Sequence, residues 1–146
     1  MPWADDTTNS GPDLPRWGRY VLRARLGEGA QGAVFCAWDP QLECDIGLKV
    51  VSLEASAGQV SDSMLREARA LARVRNPHVV NVYTVEAHEG KIGICMELIK
   101  GRTLEDMLRT QGRFGAREAA TVGIAVGRAL AAVHAAGLVL RDVKAR

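Results

Sequence analysis

Leu26-Gly27-Glu28-Gly29-Ala30-Gln31-Gly32-Ala33-Val34 decides how this 146-residue chain is read. Its glycines follow the spacing Gly-x-Gly-x-x-Gly. That spacing alone is weak evidence, because 15 of the 146 residues are glycine. The flanks say more. Arg19–Leu26 reads as a strand entering the loop, and Ala33–Trp38 as the strand leaving it. A dinucleotide-binding fingerprint requires a helix after the glycines. A Walker loop requires Gly-Lys-Ser/Thr. Neither follows here. What remains is a glycine-tipped hairpin, either an ordinary turn or a cover for phosphates. Phosphates would explain the glycines, since any Cβ would hold the backbone away from them.

Outward from the loop, Ile46–Leu53 reads as a third strand, with Ile46, Leu48 and Val50 on one face and Gly47, Lys49 and Val51 on the other. A helix capped by Ser61 or Asp62 runs to about Val74. Asn76-Pro77 stops it, because the residue before proline avoids helical geometry. Val79–Glu86 and Lys91–Leu98 form a hairpin across His88-Glu89-Gly90; Ile92, Ile94, Met96 and Leu98 alternate with Gly93, Cys95 and Glu97. After a turn at Lys100-Gly101-Arg102, Thr103-x-x-Asp106 resembles a capping box opening a helix to Gln111. A longer helix spans Ala116–Ala136, with Val122, Val126, Ala129, Leu130 and Val133 on its apolar face. Five antiparallel strands with one inserted helix, then two helices, give an α+β fold in two layers.

Bulk properties narrow the function. The length suits one domain, and 47% hydrophobic with 25% charged residues is ordinary for a globular chain. A net charge of +2 is too small to suggest nucleic acid or an anionic membrane as the main partner. Cys36, Cys44 and Cys95 form no CxxC pair, which fits a reducing cytosol and a cytoplasmic location. His78, His88 and His134 have no metal-ligand spacing. Residues 1–17 are rich in Pro, Gly, Asp, Thr and Ser and lack a signal pattern, so they read as a flexible leader. Ala119–Leu140 has the length of a membrane span. Arg128 in its middle and Gly137 as a stop make it an amphipathic core helix instead.

Lys49 is a lone cation in an apolar strand, and Glu67 stands in Met64-Leu65-Arg66-Glu67-Ala68-Arg69-Ala70-Leu71 with Leu71 and Val74 on its face. Taken singly, Lys49 reads as a solvent-facing residue and Glu67 as half of an intrahelical pair worth about a few tenths of a kcal/mol. Together with the glycine hairpin, Ile94-Cys95-Met96-Glu97-Leu98-Ile99-Lys100-Gly101, and Leu140-Arg141-Asp142-Val143-Lys144, they resemble the N-terminal half of a protein kinase catalytic domain of the bacterial-type, eukaryotic-like serine/threonine class. The resemblance covers about residues 18–146. It implies a small lobe with hinge over 18–99 and the start of a large lobe over 100–146.

The resemblance implies ATP and Mg²⁺ as cofactors and a protein bearing Ser or Thr as substrate. Leu26, Gly27, Gly29 and Gly32 would cover the phosphates, and Val34 and Gly47 would pack on the adenine. Gly47 stands where the family usually has alanine. Lys49, held by Glu67, would bind the α- and β-phosphates. Met96 would be the gatekeeper; Glu97 would offer a backbone carbonyl and Ile99 a backbone N–H and carbonyl to the adenine. Asp142 would be the catalytic base and Lys144 would neutralise the γ-phosphate. Leu140 replaces the family's histidine.

The resemblance puts the metal ligands, an asparagine and an Asp-Phe-Gly segment, after Arg146, so these 146 residues alone should transfer phosphate negligibly. The Val122–Val133 face should then be an exposed apolar patch. A non-catalytic nucleotide-binding or regulatory, pseudokinase-like module using that face is the alternative. A small-molecule kinase is disfavoured by Lys144 and by Leu104-Glu105-Asp106-Met107-Leu108.

Overall fold

The computed structural model describes residues 15–29, 32–52, 59–140 and 143–145. Its elements are β1 (Arg16–Trp17), β2 (Tyr20–Gly29), β3 (Gly32–Asp39), β4 (Cys44–Ser52), α1 (Gln59–Leu71), β5 (Val82–His88), β6 (Lys91–Met96), α2 (Leu104–Gln111) and α3 (Ala116–Ala135). The strands form one antiparallel sheet in the order β1-β2-β3-β4-β6-β5.

The sheet has six strands rather than the expected five. The addition is β1, placed by composition in a flexible leader. Trp17 explains the difference. Its indole is only 7% exposed, stacks on Tyr20 at 6.1 Å and meets the edge of His88 at 5.5 Å. It lies over Gly93, where a Cβ would come 2.3 Å from its ring carbons. An aromatic residue can bury a large apolar area from a very short segment, which an average over the leader hides. Residues 1–14 of that leader lie outside the described residues.

Alternation sorts the sheet into two faces. Tyr20, Ala37, Ile46, Leu48 and Cys95 are fully or nearly fully buried with Trp17, and Leu22 and Val50 pack against them. This outer face also buries a carboxylate. Asp39, 0% exposed, accepts from Arg19 Nη2 at 3.2 Å and from the Gln41 amide at 2.8 Å. Arg19 also pairs with Glu86, which accepts from Tyr20 Oη at 2.9 Å. Burial pushes the Asp39 carboxyl up. The Arg19 bond and the turn amides of Gln41 and Leu42 outweigh that and hold it below its ordinary range. Burial pushes the Cys95 thiol up to about 11.

The helix ends follow the sequence except at the start of α1, which begins at Gln59, so Ser61 and Asp62 lie within the helix rather than cap it. The last turn after α1 tightens, with the Val74 amide donating to the Leu71 carbonyl at 3.0 Å ahead of Asn76-Pro77. Thr103 caps α2, its Oγ1 accepting from the Asp106 amide at 3.1 Å. Gly115 precedes α3 and donates its amide to Glu118 Oε2 at 2.9 Å. The α3 face expected to be exposed is half-buried at Val122, Val126, Ala129 and Leu130 and buried at Val133. The exposed large apolar side chains include instead Ile124, Leu108, Val139 and Val143. Ala70, Arg73, Val74, Arg75, Ala132 and Ala135 border a cleft of about 460 Å³ between the ends of α1 and α3, and no predicted site residue lines it.

Candidate nucleotide site

The face of the sheet opposite Tyr20, Ile46 and Leu48 carries the predicted site. In an antiparallel ladder, directly opposed residues point to the same side. Lys49 on β4 is opposite Val34 on β3 and Ile94 on β6; Gly47 is opposite Cys36 and Met96. Val34, Gly47, Lys49 and Met96 therefore share one face. Lys49 is half-buried and makes a polar interaction of its own.

The hairpin of β2 and β3 closes with Gly27 opposite Val34, Glu28 opposite Ala33 and Gly29 opposite Gly32. Its glycines divide by role. A Cβ at Gly27 or Gly29 would meet nothing within 4 Å, so the space beside these backbones is free for a ligand. Gly32 is different. Its φ is 122°, and a Cβ there would lie 2.1 Å from the Val50 carbonyl oxygen. That glycine is required by the close approach of β3 to β4, before any ligand is considered. Leu26, at the mouth of the hairpin, is 55% exposed.

Past the end of β6 the chain runs irregularly through residues 97–100. The Glu97 amide donates to the Asn81 carbonyl at 2.8 Å, and Glu97 Oε2 accepts from Asn81 Nδ2 at 3.0 Å. A Cβ at Gly47 would lie 3.4 Å from the Glu97 carbonyl oxygen and 3.2 Å from Met96 Cγ. So the hinge carbonyl borders the same face as Gly47, and Met96 occupies part of the room an alanine would take. Ile99 is 66% exposed.

Glu67 is not brought to Lys49. It is exposed, and none of the ion pairs among the described residues joins the two. Of the face expected from Glu67, Leu71 and Val74, Leu71 is half-buried and Val74 buried, but Glu67 is exposed; among the residues of α1 whose burial is described, Ala68, 3% exposed, is the buried one. One residue on an α-helix is a rotation of about 100°, so burying Ala68 turns Glu67 aside.

Asp142 lies outside the described residues. Lys144 is exposed, and the Ala145 carbonyl next to it accepts from the Glu105 amide at 3.0 Å. That amide belongs to the first turn of α2, where N–H groups have no partner within the helix. The segment bearing Lys144 is thereby docked on α2. Sequence reasoning missed this contact because it is made by backbone atoms. It missed Asn81 because a lone asparagine before a strand carries no motif. Among the described residues no group of three or more His, Cys, Asp or Glu could hold a metal ion. The described residues bring an apolar face, a lysine and open glycine backbones together, a set whose chemistry suits the base and phosphates of a nucleotide.

The chain belongs to the protein kinase family: the protein kinase domain model matches residues 20–146. It is 37% identical over 140 residues to the serine/threonine-protein kinase PknE of Mycobacterium tuberculosis, covering 95% of this chain and 25% of that protein. It is 33% identical over 127 residues to the probable serine/threonine-protein kinase CPE1738 of Clostridium perfringens, covering 86% of this chain and 18% of that one. The crystal structure of the Mycobacterium tuberculosis PknI kinase domain superposes with a TM-score of 0.78 at 26% identity, covering 90% of this chain and 55% of that one. The chain thus spans a quarter or less of the length of these two curated relatives. Members of this family generally use ATP and Mg²⁺.

Proposed function

We propose that this chain supplies the ATP-binding half of a serine/threonine protein kinase catalytic domain. The observation that carries the reading is the shared face of Val34, Gly47, Lys49 and Met96 beneath the open backbones of Gly27 and Gly29. The apolar pair Val34 and Gly47 would pack on one side of the adenine, the Glu97 carbonyl and the Ile99 backbone would read its edge, and the Lys49 ammonium would meet the α- and β-phosphates. Leu26 and Gly32 complete the cover, Leu26 by its exposed side chain and Gly32 by setting the hairpin against β4.

The reaction of the full domain would join a Ser or Thr hydroxyl oxygen of a protein substrate to the γ-phosphorus. The bond to the β–γ bridging oxygen breaks, ADP leaves with the electron pair, and Asp142 takes the hydroxyl proton. Lys144 would neutralise the transferring phosphoryl group. Bound Mg²⁺ would supply further charge neutralisation on the β- and γ-phosphates. The cytoplasm suits this reading, since ATP is there and the three cysteines are free thiols. No helix among the described residues is long and apolar enough to cross a membrane.

The exposed Glu67 favours a second reading, a nucleotide-binding module without catalysis. One experiment separates the two. The 146-residue chain should bind ATP by calorimetry and lose that binding in Lys49→Met. Extending it in frame through any following metal-binding asparagine and Asp-Phe-Gly segment should add transfer of labelled γ-phosphate to a Ser/Thr peptide. Binding without transfer in the extended protein would support the module, and no ATP binding at all would refute both.

A further inference from the structure

We infer that Asn81 is a positioning residue for adenine recognition, holding the Glu97 carbonyl toward the base. The inference rests on the proposed nucleotide site and adds to it a residue outside the hinge. Glu97 is the first residue beyond β6, where regular pairing has ended. Such a residue would ordinarily be free to rotate. Here it is tied at both ends to one partner. Its amide donates to the Asn81 carbonyl at 2.8 Å, and its carboxylate accepts from Asn81 Nδ2 at 3.0 Å and from the Asn81 amide at 3.4 Å.

Asn81 stands immediately before β5 and the Val82–Met96 rung, so the clamp adds one more rung to the ladder, made partly by side chains. Asparagine suits the task. It has an N–H pair for a carboxylate and a backbone able to pair with the next strand. With the Glu97 amide and side chain fixed, only rotation about its Cα–C bond can swing the carbonyl. That carbonyl borders Gly47, 3.4 Å from where a Cβ would stand. An acceptor held there selects a base with an exocyclic amino donor at that edge. Adenine has one; hypoxanthine presents a carbonyl instead.

The test compares ATP with inosine triphosphate by calorimetry on the 146-residue chain and on Asn81→Ala, Glu97→Ala and the double variant. Hydrogen bonds to charged groups are the strong ones. Losing this clamp should weaken ATP binding about five- to tenfold, while inosine triphosphate changes less than about twofold. The double variant should lose no more than either single one, because both remove the same clamp. Thermal unfolding checks that each variant folds, and if Asn81→Ala does not, Glu97→Ala carries the comparison. An equal loss for both nucleotides, or no loss for ATP, would overturn the role of Asn81. Lys49→Met distinguishes the levels: if it weakens both nucleotides while Asn81→Ala changes neither, the nucleotide site stands and only this inference falls. If the unmodified chain binds no nucleotide, both fall.

Discussion

The two faces of the sheet differ most around the predicted site. On the outer face, Tyr20, Ile46, Leu48 and Cys95 are buried almost completely, and even the charge of Asp39 is enclosed, paired with the half-buried Arg19. On the cleft face, Lys49 and Val34 are half-buried, and the backbones of Gly27 and Gly29 border open space. A strand alternates sides with each residue, so Leu48 and Lys49 belong to different worlds while adjacent in sequence. The cleft face is mixed: Val51 and Ile92 are buried on it, while around Lys49 it keeps a charged, less closely packed surface ready for a ligand.

Adjacent substitutions should therefore separate stability from binding. Leu48→Ala should have the largest effect on folding, about 2–5 kcal/mol by chemical denaturation, because it empties a buried side-chain volume. Lys49→Met should change stability by less than about 1 kcal/mol and abolish measurable nucleotide binding. Equal loss of stability from both would erase the distinction between the faces.

The glycines sharpen the same contrast within one hairpin. Gly32→Ala should cost about 2 kcal/mol or more, since its Cβ would strike the Val50 carbonyl and its φ of 122° is strained for any side chain. Gly29→Ala should leave the melting temperature nearly unchanged and weaken ATP binding. The reverse pattern would mean that the third glycine serves the ligand and the second the fold.

A smaller effect concerns acid. The folded Asp39 carboxyl titrates below its ordinary value. Its contribution to stability is then present above the unfolded carboxylate pKa and is lost as pH falls through the lower, folded value. Stability measured from neutral pH downward should fall over that acidic range, and Asp39→Asn should flatten the acid limb while lowering the neutral plateau. An unchanged acid limb in the variant would remove Asp39 from the account.

Much of this was legible before the structure. Period-two alternation gave β4 and β6, and Glu89 and Gly90, both at positive φ, turn the hairpin where His88-Glu89-Gly90 marked it. The capping pair of Thr103 and Asp106 also reads directly from sequence. The glycine hairpin, Lys49 and the hinge were legible as positions, because strand register alone puts them on one face. What escaped depends on tertiary choice. Trp17 joins the sheet because Gly93 leaves room for an indole several strands away. Periodicity turned Leu71 and Val74 inward, but it could not decide that Ala68 rather than its neighbour Glu67 is buried. Asn81 escaped because its meaning lies in a partner 16 residues along the chain.

The most direct test is a two-dimensional amide NMR titration of the 146-residue chain with ATP. The account predicts shifts at Gly27, Gly29, Val34, Gly47, Lys49 and Glu97, with Trp17, Tyr20, Ile46 and Leu48 unmoved. Shifts centred on the outer face, or none on either face at saturating ATP, would contradict it.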